Sequence, residues 1–128
     1  MIATKYLPDV SVLVALLWQT HADNAKVSAW SAGKDLAVCP ITELGFLRVV
    51  TSPAYNATMS QALETLKDFL DHGSPAFIAA DARALDGTVA PSSGKTTDWY
   101  LGNLAKAHGM KWATLDKNAR HPNAELVE

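Results

Sequence analysis

A chain of 128 residues, 48% hydrophobic and 19% charged, has the length and apolar content of one compact domain and is too apolar for a disordered segment. Its net charge of −2, from 11 basic and 13 acidic residues, excludes a strongly basic polyanion binder. The longest apolar run, Val12 to Trp18, is far shorter than the ~20 residues a membrane span needs, and the N-terminus lacks the residue order of a signal peptide. With one cysteine, Cys39, no internal disulfide can form, so a reducing cytoplasm is the fitting compartment.

Short apolar runs alternate with longer helical patterns, and neither a repeat nor a linker divides residues 1–128. That alternation predicts an α/β domain with a central, mainly parallel sheet. The first strand is expected over Thr4–Pro8, followed by helices over Ser11–Gln19 and Ala22–Ala32, the second closed by Gly33. "LAVCPI" (36–41) reads as a buried strand containing Cys39, after which the Thr42 hydroxyl opens a helix to Val50. "TMSQALETLKDFLDHG" carries a capping box at Thr58 and Gln61, an apolar stripe of Leu63, Leu66 and Leu70, and a stop at Gly73. "PAFIAAD" (75–81) is a short candidate strand, and "APSSGK" (90–95) is a loop. "TTDWYLGNLAKAHG" is a helix opened by Thr96 or Thr97, with Leu101, Leu104, Ala105 and His108 on its inner stripe. "KWATLD" (111–116) is the last strand. Trp99 and Trp112 are expected in the core. Trp18 and Trp30 belong to the first helix pair, where they serve the core or line a groove for a partner.

The acids on this outline gather at one place. Asp9 follows the first strand, Glu43 begins the helix after the second, and Asp116 ends the last. In a parallel sheet all these points lie on the C-terminal edge, where such folds place their ligand sites. Asp98, in the first turn of its helix, joins the same edge. Singly, each acid reads more readily as a helix cap or a partner for the helix dipole than as part of a site. Together they would repel, by roughly 4 kcal/mol for a pair about 4 Å apart at an effective dielectric near 20. A divalent cation removes that penalty and makes the group a hard-oxygen site of the Mg²⁺ or Mn²⁺ type. Zinc would want a Cys pair or a close His pair, and neither occurs. Asp81 is left outside, because "DARALDG" reads as a turn that Asp81 caps.

Two other enzyme classes share this layout and fail on detail. A receiver domain needs paired acids after the first strand and a late strand-end lysine, where this chain has one acid and Asp116. An aspartyl-nucleophile phosphatase wants an acid two residues after Asp9, where Ser11 stands. A non-catalytic binding module is disfavoured because all four acids are present.

"YLPDVSVLVALL", "CPITELGFLRVV", "TTDWYLGNLAKAHG" and "WATLDKNA" resemble, in order and spacing, the motifs of the PIN-domain ribonucleases, and among these the VapC toxins of bacterial toxin–antitoxin pairs. The likeness runs from residue 5 to residue 118 and implies a PIN-like three-layer α/β/α fold. By this resemblance Asp9 matches the first acidic ligand, and Ser11 the small polar residue that steadies the metal site. Glu43 matches the acid of the "TE" motif. Asp98 matches that of the "TD-x-YL" motif, with Thr97 beside it as a supporting hydroxyl. Asp116 matches the final acid, whose position varies most in the family. Pro8 departs from the usual hydrophobic residue, and Ser11 stands where Asn is also common; neither removes a ligand.

The chemistry implied is hydrolysis of RNA by water that Mg²⁺ or Mn²⁺ activates, leaving a 5′-phosphate and a 3′-hydroxyl. It needs no histidine, and none of His21, His72, His108 or His121 lies in a motif. Setting aside the four ligands leaves nine acids against 11 basic residues, a remainder of +2 that permits phosphate contacts. Arg48, Lys95, Lys117 and Arg120 are the candidate RNA contacts, with solvated surface charge as the plainer role. The resemblance also implies a cognate VapB-type antitoxin as partner and a homodimer.

Overall fold

A computed structural model describes residues 4–128. Five short strands, β1 (Lys5–Pro8), β2 (Asp35–Val38), β3 (Ala76–Phe77), β4 (Lys111–Thr114) and β5 (Ala124–Leu126), form one sheet in the order β3-β2-β1-β4-β5. Every pairing is parallel. Pro8 has no N–H to give, and it stands past the stretch where β1 pairs with β2, opposite Ala113 of β4. The strand order turns around between β1 and β4, and the crevice at the C-terminal ends beside such a switch is the usual ligand position.

Alternation along each strand sends side chains to opposite faces, and helices cover both. On one face α1 (Val10–Leu17) and α2 (Asn24–Ser31) bury Val12, Ala15 and Val27 against Ala113 and Val127. On the other, α5 (Thr96–Ala107) buries Leu101, Leu104 and Ala105 against Leu7, Ala37 and Trp112. Between β2 and β3, α3 (Pro40–Val50) and α4 (Met59–Asp68) pack Phe46, Val50, Ala62 and Leu66 on Leu13 and Val14 of α1. The result is the expected three-layer α/β/α arrangement. Among the described residues no helix is long and apolar enough to cross a membrane.

Several local expectations shift. The strand placed over 36–41 stops at Val38; buried Cys39 is the N-cap of α3, and Pro40 takes its first position, which suits a residue with fixed φ and no N–H. Thr42 lies inside the helix, where its hydroxyl accepts the Cys39 N–H at 3.0 Å. The capping box of α4 forms, with the Gln61 N–H on Thr58 Oγ1 at 3.1 Å and the Thr58 N–H on Gln61 Oε1 at 2.9 Å. Its buried face runs through Ala62 and Leu66, however, and leaves Leu63 49% exposed. Thr96 does not cap α5: its hydroxyl donates back to the Ser93 carbonyl at 2.7 Å. His108 lies just past the end of α5 and is exposed, pairing with the Asp81 carboxylate at 2.9 Å. Asp81 therefore ties down the end of α5 instead of capping a turn, and Asp86 accepts the Arg83 N–H in that turn at 2.7 Å. Strand β5 is unforeseen, because three residues carry no readable period.

Trp99 and Trp112 are buried as expected, with His121 wedged edge-on against both. The His121 Nδ1 accepts the Asn123 N–H at 3.0 Å, so its Nε2 carries the proton donated to Asn103 Oδ1 at 2.8 Å. Trp18 and Trp30 are half-buried, packed on Tyr55 and Tyr6 respectively. Gly102 lies under the His121 ring, where an added Cβ would come within 2.8 Å of three ring atoms. Alanine gains ~1 kcal/mol over glycine in a helix, but overpacking a site pinned on all sides costs ~1–3 kcal/mol. Gly102→Ala is therefore expected to lower stability by ~1 kcal/mol, read as a lower urea midpoint; a raised midpoint would mean that the ring has room to move.

Candidate active site

Asp9 is the first residue past β1, and its N–H donates to the Ala113 carbonyl of β4 at 2.9 Å, continuing the β1–β4 ladder. Its side chain turns onto α1, where Oδ1 accepts the Val12 N–H at 2.8 Å, and the residue is only 4% exposed. Burial pushes the carboxyl up to about 6; the Val12 N–H and the Thr114 hydroxyl pull it down, and the charges of Asp98 and Asp116 push it up. Asp9 is thus a helix cap and, at the same time, a buried acid facing two others.

Asp98 sits half-buried in the first turn of α5. Burial raises its carboxyl above the ordinary range, opposed by the Lys95 ammonium and reinforced by Asp116. Asp116 follows β4 with both oxygens engaged: Oδ2 accepts from Lys95 Nζ at 2.9 Å and Oδ1 from the Asn118 N–H at 2.9 Å. The Lys95 contact, then the Asn118 N–H, hold this carboxyl below its usual value. Thr114 Oγ1 accepts the Asp116 N–H at 3.1 Å.

Glu43 stands apart. It occupies the first turn of α3, on the expected edge, but its carboxyl is raised by burial and by none of the three aspartates. Ser11 and Thr97 are exposed, and neither hydroxyl bonds a site carboxylate among the described residues. Of the candidate RNA contacts, Lys95 is drawn into the acid group, and Arg120 is near enough to lower Asp116. Arg48 and Thr97 line a cavity of about 730 Å³ beside the start of α5, with Leu85, Val89 and Tyr100 among the walls. Lys117 is exposed. Two participants were missed by sequence reasoning: Thr114, whose place two residues before Asp116 is a readable turn signal, and Lys95 as an ion-pair partner, for which no local signal exists.

The donor set is carboxylate oxygen throughout, which suits a hard divalent cation. Among the described residues no three His, Cys, Asp or Glu side chains converge into a ready-made metal cage. The fit to Mg²⁺ or Mn²⁺ is therefore one of donor chemistry and charge, with Asp9, Asp98 and Asp116 supplying both.

A parallel sheet with a buried carboxylate and two partly buried ones at its switch point is an α/β acid-site domain, and its relatives specify which. The model of the PIN domain family matches residues 6–124. Ribonuclease VapC38 of Mycobacterium tuberculosis is 34% identical over 118 residues, covering 86% of this chain and 84% of its own length. Ribonuclease VapC44 of the same species is 33% identical over 124 residues, covering 89% and 87%. The crystal structure of VapBC2 from Rickettsia felis, bound to a DNA fragment from its promoter, shares the fold with a TM-score of 0.63 at 15% identity, covering 98% of this chain and 100% of that one. The chain belongs to the PIN domain family and, within it, to the group of the VapC ribonucleases.

The raised Asp9 carboxyl fixes the sign of a pH dependence. The fold favours the protonated acid, so this contribution is complete below about pH 4 and is lost as pH climbs through about 6. A shift of that size corresponds to at most ~3 kcal/mol. Asp9→Asn keeps an oxygen for the Val12 N–H and removes the charge. In EDTA it is expected to be ~1–3 kcal/mol more stable than wild type at about pH 7.5 and no more stable at about pH 4. Urea unfolding at both values measures this; a gap independent of pH would refute it.

Proposed function

We propose that this protein is a Mg²⁺- or Mn²⁺-dependent endoribonuclease, acting in the cytoplasm as the toxin of a VapBC-type pair and arresting translation and growth by cutting RNA. The observation that carries the reading is buried Asp9 facing the charges of Asp98 and Asp116 at the sheet's switch point, in a chain whose family relatives are named ribonucleases.

The residues divide the work as follows. Asp9 and Asp98 are the carboxylates that would hold the metal, with Asp116 beside them and Glu43 a further acid on the same edge. When bound, the metal supplies a water acidic enough to attack a phosphodiester and neutralises charge on the phosphate and leaving oxygen. Asp9 is immobilised by its two backbone contacts, which fixes the direction in which its other oxygen points. Thr114 orients Asp116 through its N–H. Arg120, which acts on Asp116, and Arg48, in the wall of the cavity beside the start of α5, offer positive charge to the flanking phosphates. Water attack leaves a 5′-phosphate and a 3′-hydroxyl, where attack by the RNA 2′-OH would leave a cyclic phosphate.

The partners follow from the same reading. A VapB-type antitoxin would hold the toxin silent. A homodimer is supported by large apolar side chains open in the single chain, Leu44 at 62%, Leu85 at 92% and Val89 at 89% exposure.

Purified protein with Mg²⁺ is expected to cut RNA to ends carrying a 5′-phosphate. Asp9→Ala or Asp98→Ala is expected to lower the rate by about 100-fold or more. Induced expression should arrest growth with wild type and not with Asp98→Ala. Cleavage undiminished in EDTA, or by the Asp98→Ala variant, would sink the proposal.

A further inference from the structure

Resting on that reading, we propose that Lys95 is a positioning residue that occupies the place of a second cation, so that the site takes a single divalent ion. The ammonium lies 2.9 Å from Asp116 Oδ2, and the other Asp116 oxygen is already taken by the Asn118 N–H. Asp116 is therefore engaged as an ion-pair partner, while Asp98 has no hydrogen-bonded partner among the described residues and Asp9 is held by neutral groups only, the Val12 N–H and the Thr114 hydroxyl. The charges of Asp98 and Asp9 also act on Lys95, which places its ammonium within the field of all three acids. Asp116 is matched by the ammonium and also feels Arg120, which leaves the two negative charges of Asp9 and Asp98. One divalent ion neutralises these, and two ions would overshoot. A lysine suits this task because its charge is compact and its stem is long enough to bring it in from the turn before α5. Lys95 is thereby assigned to the site itself, and not to the RNA backbone.

The side chain of Lys95 is 41% exposed, so its replacement leaves the fold intact, which a thermal melt checks. Mn²⁺ binding to the full chain is measured by calorimetry and by the electron paramagnetic resonance of free Mn²⁺, without RNA, for wild type, Lys95→Met and Lys95→Arg. The expected result is one ion per wild-type chain and one per Lys95→Arg chain. Lys95→Met, with the charge gone and the length kept, is expected to take a second ion or to hold the first about tenfold tighter. In RNA cleavage the loss in Lys95→Met is expected in kcat with KM held, and Lys95→Arg restores it. Two ions on wild type, or a Lys95→Met variant that neither gains an ion nor tightens by that factor, overturns the inference. A KM effect alone, growing as salt falls, would return Lys95 to the RNA backbone and also overturn it. Wild type that binds no Mn²⁺ at all defeats the metal-dependent reading first, and this inference with it.

Discussion

The burial of one carboxylate, that of Asp9, is the constraint around which the structure is arranged. Its N–H continues the β1–β4 ladder through Ala113, and its Oδ1 holds the first turn of α1 through Val12. Neither contact survives a shift of the residue, so its position is set by a sheet and a helix at once. Two groups offset the cost of burying this charge: the Val12 N–H at the start of α1 and the Thr114 hydroxyl. Asp98 and Asp116 then work in the opposite direction. An acid brought to about 6 by burial first and by like charges second is poor architecture for stability and good preparation for a cation.

The sheet order explains which acids share that condition. β1 and β4 are neighbours, so residues following them lie about 5 Å apart across the sheet, and the start of α5 overlies the same pair. β2 is one strand from β1 and two from β4, so an acid after β2 begins about 5 Å from one after β1 but about 10 Å from one after β4. Glu43 is that acid, and it feels its own burial but none of the three aspartates.

This is also where sequence and structure part company. The edge was legible, because a parallel sheet sends every strand's C-terminus the same way. Spacing along the edge was not, because it depends on strand order, which no local pattern encodes. The capping box at Thr58 and Gln61 was legible, being complete within four residues. The apolar stripe of the same helix was misassigned by one position, since Ala62 is as apolar as the contact requires and Leu63 only looks the part. His108 falls at helical spacing from Leu101 and Leu104, but α5 ends at Ala107, and the Asp81 carboxylate draws the ring outward. The Lys95–Asp116 pair spans 21 residues and closes only once β4 lies beside β1.

The two charges at the start of α5 are held by different means. Asp98 is followed directly by Trp99 and, within a turn, by Leu101, both in the core that covers the sheet, so the acid moves only if the layer moves. Lys95 arrives at the end of the irregular stretch 79–95, which α5 fastens from its outer side. The Tyr100 hydroxyl donates to the Ala82 carbonyl at 2.7 Å, and Asn103 Nδ2 to the carbonyls of Asp86 and Thr88 at 2.9 Å each. Gly87 turns there with a φ of +71°, where a Cβ would strike Asn103 at 2.5 Å. These bonds anchor the middle of the stretch and leave its last residues held chiefly by the Ser93–Lys95 turn and by the ion pair itself. The negative side of the site is therefore set by the core, while its positive side is set by a long stem on a surface turn. In such an arrangement the acids keep their geometry and the lysine is the component free to adjust when the charge between them changes.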